Sequence, residues 1–380
     1  MFPILLGFFF FKIYVYYPSR LITDTQMDNF TFPVFKTKKQ PYKKFSLEDP
    51  KDRKKYFEYK AGVELKKIRR YLKKNTFVGF LMGKKNSGKG TYSKLFMEAV
   101  GSNQVAHISI GDIVRSVHKD LANPKKKKEL IAFLKSKYRG FISIEKALDV
   151  IEGRDTKTLL PTEVILALVE RQISQLGRKA VFIDGFPRNL DQISYSLYFR
   201  ALMGYRDDPD FFVFIDVPNT VIDERIKGRV ICPKCQTPRG LKLLRTKEIG
   251  YDEKNKEFYL ICDNSECGKL RMVPKEGDEL GIEPIRERIE TDTKISKTLI
   301  GLEGASKIFL RNSIPAKKAK KSVDEYELTP AYSYEIKNGK ISVIEKPWII
   351  KDDRGVPSHS LLPAAVTVGL IKQVAKVLGL

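Results

Sequence analysis

The sequence predicts an α/β fold of three layers around a parallel five-stranded sheet, built on a phosphate-binding loop. Three observations predict it. After residue 75, the short apolar runs Phe77–Met82, Gln104–Ser109, Ala180–Ile183 and Phe211–Val217 lack polar alternation, as strands covered on both faces do. Helical stretches follow the first run at Thr91–Val100 and the third at Leu190–Leu202, as crossovers between parallel strands require. The first run also leads straight into a glycine-rich loop, Gly83 to Thr91, that opens a helix.

The remaining elements follow in chain order. Met1–Tyr17 is apolar except for Lys12, at the lower length limit for a membrane span, without the basic start and small-residue cleavage site of a signal peptide. Residues 1–26 are read as an apolar leader from a misassigned start, with Met27 opening a cytoplasmic chain. A short membrane anchor is the alternative. Residues 27–75 form a basic extension broken by Pro33, Pro41 and Pro50. Within it, Tyr56–Lys74 reads as a basic amphipathic helix with Val63, Leu65, Ile68 and Leu72 in its apolar stripe. This helix is expected to pack on the next domain; contact with RNA or lipid is the sharper alternative. Thr162–Leu176 is a helix opened by Pro161, Lys340–Ile344 a late fifth strand, and Ser360–Leu378 a closing helix with Val366, Leu370, Ile371, Val374 and Val377 inward. The runs Lys125–Lys128 and Lys317–Lys321 read as solvated loop charge.

Charge narrows the partners. The chain of 380 residues carries a net charge of +24, and residues 1–75 hold 18 basic against 7 acidic side chains. Such a field favours phosphate-bearing partners, nucleotides or nucleic acid. Only four cysteines are present, which excludes a disulfide scaffold.

The loop Gly83-Lys84-Lys85-Asn86-Ser87-Gly88-Lys89-Gly90-Thr91 has the G-x-x-x-x-G-K spacing. Its glycines permit a tight turn whose N–H groups point at anionic oxygens, and the following helix adds its dipole. Lys89 then reaches the β and γ phosphates as a point charge. Gly90 stands where a Mg²⁺-holding Ser or Thr is usual, with Thr91 one place later.

G-K-G-T is the form seen in nucleoside monophosphate kinases, and further segments agree. These are His107-Ile108-Ser109-Ile110-Gly111-Asp112-Ile113-Val114-Arg115, the run Asp184-Gly185-Phe186-Pro187-Arg188 with Gln192, Asp223 to Arg229, and Glu283 to Ile289. From about Phe77 to Ile289 the chain resembles the adenylate kinases. The resemblance implies Mg²⁺-dependent phosphoryl transfer from ATP to AMP, with a core over 76–229, a helical NMP-binding insert over 110–165, a lid over 230–276 and core completion with a divergent extension over 277–380. It implies that Gly83, Asn86, Ser87, Gly88, Lys89, Gly90, Thr91 and Arg225 hold ATP. Arg115 and Arg188 would clamp the acceptor phosphate, while Arg225, Arg229 and Arg288 close over the donor phosphates. Asp184 would orient Mg²⁺ through water. Gly185, Gln192 and Leu160, the last beside Thr158 and Leu159, would hold AMP. Ile110, also at that site, replaces the family's Thr, which leaves a UMP/CMP kinase as an alternative. Lys275 stands where an Arg is usual. Gly355-Val356-Pro357, in a stretch that departs from the family pattern, precedes the closing helix and is read as a plain helix start, with backbone contacts to the donor adenine as the alternative.

Cys232-x-x-Cys235 and Cys262-x4-Cys267 are separated by 26 residues, a spacing that gives a tetrahedral structural zinc site in a ribbon-like pair of hairpins. The position matches the lid. The expected partners are therefore ATP and AMP, acting on a monomer without an obligatory protein partner, and weak RNA contact through the basic extension. A nucleic-acid-binding protein on a kinase scaffold is the alternative from another class.

Overall fold

The computed structural model describes residues 32–33, 36–138, 140–152, 161–188, 192 and 209–380. The expectations for residues 1–26 and, apart from Gln192, for the helix Leu190–Leu202 lie outside them. Among the described residues, no helix is long and apolar enough to cross a membrane.

The first helix, α1 (Pro50–Tyr71), starts earlier than its apolar periodicity predicts. The Asp49 side chain accepts the Asp52 N–H at 2.8 Å, and Pro50 occupies the first turn, where its missing N–H costs nothing. The helix bends at Ala61, beside Gly62. Tyr56, Phe57, Ala61, Leu65 and Ile68 are buried, but Val63 is 68% exposed. The expectation for Val63 fails because it lies two residues before Leu65, on the opposite side of the helix.

Next come β1 (Val78–Gly83), α2 (Lys89–Val100), β2 (Val105–Ser109) and α3 (Ile110–Leu121). The helices α4 (Pro124–Lys137), α5 (Ile144–Glu152) and α6 (Thr162–Leu176) lead back to β3 (Ala180–Asp184). Then β4 (Asp210–Asp216) and α7 (Asn219–Lys227) precede a cysteine-bearing lobe. That lobe holds β5 (Arg229–Ile231), β6 (Pro238–Gly240), β7 (Ile249–Asp252), β8 (Glu257–Leu260) and β9 (Val273–Pro274). After it come α8 (Arg286–Gly301), β10 (Ser306–Arg311), β11 (Ser313–Pro315) and α9 (Ala316–Ser322). The chain ends with β12 (Pro330–Lys337), β13 (Lys340–Pro347), β14 (Ile349–Lys351), β15 (Pro357–Ser360) and α10 (Pro363–Val377).

The five central strands are all parallel, in the order β10–β4–β1–β3–β2. Alternate residues serve opposite faces. Phe77, Leu81, Phe211, Val213, Ile215, Ile308 and Leu310 join the core cluster that α1, α2 and α10 cover. Phe80, Phe212, Phe214 and Phe309 point the other way, where Phe80 stacks on Phe212 at 5.3 Å and Phe214 on Phe309 at 5.6 Å between ring centroids. The basic extension is therefore part of the core rather than an appendage, with Leu47, Tyr56, Phe57, Ala61, Leu65, Ile68 and Leu72 inside that cluster.

The fifth strand is β10, not Lys340–Ile344. Ile308, Phe309 and Leu310 are all buried, as a strand within a three-layer fold must be, whereas no residue of β13 is buried. Instead β13 pairs antiparallel with β12 across Asn338 and Gly339, both at positive φ (51° and 71°) as a two-residue hairpin turn requires. Both lysine runs also sit on helices rather than loops: Lys125–Lys128 in α4, where the Asn123 side chain caps the Lys125 and Lys126 N–H groups, and Lys317–Lys321 in α9. Gly355-Val356-Pro357 lies in the β14–β15 turn, some way before α10 begins, because Pro357 starts a strand paired with β14 and β11.

Candidate functional site

The loop between β1 and α2 owes its shape to two glycines. At Gly83 (φ 148°) a Cβ would lie 2.7 Å from the Ile215 carbonyl oxygen, so only glycine lets the chain leave β1 beside β4. Gly88 (φ 93°) precedes α2 in a left-handed conformation. Between them the Ser87 N–H donates to the Lys84 carbonyl at 3.1 Å, closing the turn. The α2 N-terminus has no side-chain cap, so its first N–H groups face the loop, an arrangement that favours anions.

Above this loop opens a cavity of about 500 Å³, bounded by the end of β3, the start of α3 and one face of α8. Five cationic side chains, Lys85, Lys89, Arg115, Arg188 and Arg288, line it against two carboxylates, Asp184 and Asp292. Lys89 Nζ donates to the Gly83 and Lys84 carbonyls at 2.8 and 3.1 Å and lies 3.8 Å from Asp184. Burial lowers the Lys89 pKa below the usual lysine range, with Asp184 and Asp292 opposing the shift. A methyl group at Gly111 would come within 3.4 Å of Arg115 and 3.6 Å of Arg188, so these two guanidinium groups converge above the start of α3. Ser109 caps that helix by accepting the Asp112 N–H, and Arg115 pairs with Asp112.

Among the described residues, Arg188 Nε and Ser87 Oγ are buried atoms without a hydrogen-bond partner. Burial, then the charge of Arg288, lowers the Arg188 pKa from the usual arginine range. Such a group gains from a bound anion. Gly185, at φ 88°, sits directly beneath it: a Cβ there would lie 2.7 Å from Arg188 Nη2. Gln192 accepts the Arg188 N–H at 2.7 Å and donates to Thr162 Oγ1 at 3.1 Å.

Of the residues that the sequence singles out, the cavity lining unites Gly83, Asn86, Lys89, Arg115, Asp184, Gly185, Arg188 and Arg288. Ile110 is 2% exposed, and its neighbours Ser109 and Gly111 form the wall instead. Ser87 and Gly88 belong to the loop itself, Gly90 lies in the first turn of α2 and Thr91 is exposed. Two of the expected arginines lie elsewhere. Arg225 donates to Asn312 Oδ1 and Ser360 Oγ, each at 3.2 Å, and Arg229 forms a two-point pair with Asp278, one bond at 2.6 Å. Thr158, Leu159 and Leu160 lie outside the described residues. Asp292 is the functional candidate that sequence reasoning passes over: it holds Arg288 at 2.8 Å one turn along α8, and burial raises its pKa. Its signal was the i,i+4 spacing from Arg288.

The second cluster is the four cysteines. The Sγ atoms of Cys232, Cys235, Cys262 and Cys267 all lie within 4.8 Å of one another, and none is in a disulfide. Zn–S bonds of about 2.3 Å give a tetrahedron with edges of about 3.8 Å; Cys235 and Cys262 are 3.7 Å apart. Hydrogen bonding to Thr237 draws the Cys235 thiol down to about 6, whereas burial and the neighbouring thiols push Cys267 up to about 12. Four crowded thiols resist ionising together, and a divalent cation removes that conflict. The donor set therefore fits zinc. Cys232, Cys262 and Cys267 make up the small core of the lobe with Leu260 and Met272, and half-buried Cys235 packs against it.

Comparison with known proteins agrees with this geometry. A family model described as an AAA domain matches residues 83–230. The chain is similar to the adenylate kinase of Thermotoga neapolitana, with 29% identity over 231 residues, 60% of this chain and 86% of that protein. It is 29% identical to the adenylate kinase of Clostridium acetobutylicum over 221 residues, 58% of this chain and 83% of that one. With the adenylate kinase of Thermotoga petrophila it shares 31% identity over 199 residues, 52% and 73% of the two chains.

Proposed function

The chain belongs to the adenylate kinase family of nucleoside monophosphate kinases, and on that premise we propose that it transfers the γ-phosphoryl group of ATP reversibly to AMP, giving two ADP. The observation that carries this reading is the convergence of five cations over the glycine loop, where the buried Arg188 Nε has no hydrogen-bond partner among the described residues. Asp184 and Asp292 offset only two of these five cations, which leaves positive charge to meet the phosphates of two nucleotides, and phosphoryl transfer asks the protein chiefly for positioning and charge compensation.

In this reading Lys89 leaves its own loop's carbonyls for the donor phosphates. Arg115 and Arg188 grip the acceptor phosphate, holding one of its oxygens in line with the γ-phosphorus. That oxygen forms the new P–O bond as the bond to the bridging β,γ-oxygen breaks. Arg288, oriented by Asp292, faces the group in transit. Mg²⁺ bound with ATP would supply further charge neutralisation, and Asp184, at the end of β3, would be the residue that orients it. Residues 110–165 act as the acceptor-binding insert and 230–276 as a lid, whose closure turns Arg229, at its base, toward the donor and excludes water, while Arg225 serves the donor from the core helix α7. Zinc held by the four cysteines keeps the lid folded.

The deciding experiment is an assay of phosphoryl transfer from ATP to AMP, UMP, CMP and GMP. Preference for AMP is expected. Preference for a pyrimidine nucleotide overturns the acceptor, and no transfer to any of the four overturns the activity.

A further inference from the structure

The segment after β10 does more than complete the core. Its first part, the hairpin of β12 and β13, is docked on the cysteine-bearing lobe. The Tyr332 N–H donates to the Lys242 carbonyl at 2.7 Å and Tyr334 OH to the Leu241 carbonyl at 2.6 Å. Tyr334 also packs on Phe258 at 5.5 Å, and Arg245 covers the Tyr332 ring at 5.1 Å. A two-stranded hairpin alone is marginal in water, so these contacts hold both partners.

The second part, the turn joining β14 to β15, is docked on the phosphate loop. Asp353 pairs with Lys84 of that loop at 3.1 Å and accepts the Asn219 N–H, at the start of α7, at 2.7 Å. Thr220 Oγ1 donates to the Lys351 carbonyl at 2.7 Å. The turn is stiff: Asp352 accepts the Arg354 and Val356 N–H groups and pairs with Arg311 at 3.0 Å. Only Trp348 separates the hairpin from the strand leading into this turn, so little slack lies between the two docking points.

We propose that residues 330–360 are a tether that sets the position of the lid relative to the phosphate loop, with Tyr334 and Asp353 as positioning residues at its two ends. The tether adds a third connection to the two chain crossings at Arg229 and after Pro274, so the lid swings against the hairpin rather than freely. This deepens the proposed function by naming a control on lid opening, a step that limits turnover in many enzymes with lids.

The test compares Tyr334→Phe, Tyr334→Ala and Asp353→Asn in the full chain, using amide hydrogen exchange over residues 241–260 and the kcat and KM for ATP. Asparagine at 353 retains a carbonyl for the Asn219 N–H and removes the charge facing Lys84. Losing one hydrogen bond at Tyr334 is expected to speed exchange in the lobe by about fivefold. Asp353→Asn is expected to speed it too, although Asp353 does not touch the lobe. Both changes raise KM for ATP more than they lower kcat. If exchange over 241–260 is unchanged in Tyr334→Ala, or rises in the Tyr334 variants but not in Asp353→Asn, the tether is overturned and the hairpin is local packing. Failure of the proposed activity shows separately, as a parent protein that makes no nucleoside diphosphate while its exchange pattern still reports on the tether.

Discussion

Lys60 and Asp324, 264 residues apart in the chain, form an ion pair at 2.6 Å with less than 4% of either side chain exposed. Glu327 lies 3.3 Å from the same ammonium and also accepts from Tyr56 OH and Thr37 Oγ1. This network fastens the basic extension to the segment that follows α9. Lys60→Met is expected to strand two carboxylates in the interior and cost about 3–5 kcal/mol. Urea denaturation measures it; a loss within experimental error would show that water reaches these acids.

Lys89 supplies a pH dependence with a definite sign. Burial favours its neutral amine, so its folded pKa lies below the usual 10.5. Between those two values the unfolded chain binds more protons, and the contribution of this group to stability rises with pH. Activity moves in the opposite direction, because the charged form is the one that meets phosphate. The alkaline limb of kcat/KM for ATP is expected below 10.5; a profile flat through that pH would contradict it.

Ile110→Thr separates packing from specificity. Ile110 is buried, and the cavity wall passes through Ser109 and Gly111. The substitution is expected to cost about 1–3 kcal/mol through an added buried hydroxyl and to leave the ratio of AMP to UMP turnover unchanged. A shift of that ratio by about tenfold, equivalent to about 1.4 kcal/mol, would return Ile110 to the acceptor site.

Metal analysis of purified protein is expected to find one zinc per chain. Cys262→Ser should lose it and unfold the lobe, since structural zinc contributes on the order of 10 kcal/mol in small modules. Mass spectrometry under native conditions and amide exchange over residues 230–276 read the two effects. An ordered lobe in metal-free protein would refute the assignment.

Gly83→Ala tests the loop's geometry. The new Cβ meets the Ile215 carbonyl at 2.7 Å with nowhere to move but backbone. A loss of about 1–3 kcal/mol is expected from the strain, measured by thermal unfolding, together with weaker ATP binding by calorimetry.

The legible parts of the fold were those whose signal is local. β1 to β4 read correctly because both faces of the sheet are covered, which leaves unbroken apolar runs such as Phe211–Ile215. Lys89, Asp184 and Arg188 emerged from short-range spacing around strand ends. The failures came from signals passed over or absent. Ile308-Phe309-Leu310 is three residues of apolar sequence inside a polar stretch, and it lost to Lys340–Ile344, whose Asn338-Gly339 approach was itself a hairpin signal. Nothing local announces that Asp353 reaches Lys84 or that Tyr334 reaches Leu241, because those contacts depend on the finished tertiary arrangement.

The order of the sheet has a consequence for biosynthesis. β4 flanks β1 on the side later closed by β10, and the whole cysteine-bearing lobe is made between them. At ordinary translation speeds the ribosome needs on the order of ten seconds to reach β10 after finishing β4. Until β10 arrives, the β4 edge and its phenylalanines have no strand of this sheet to cover them.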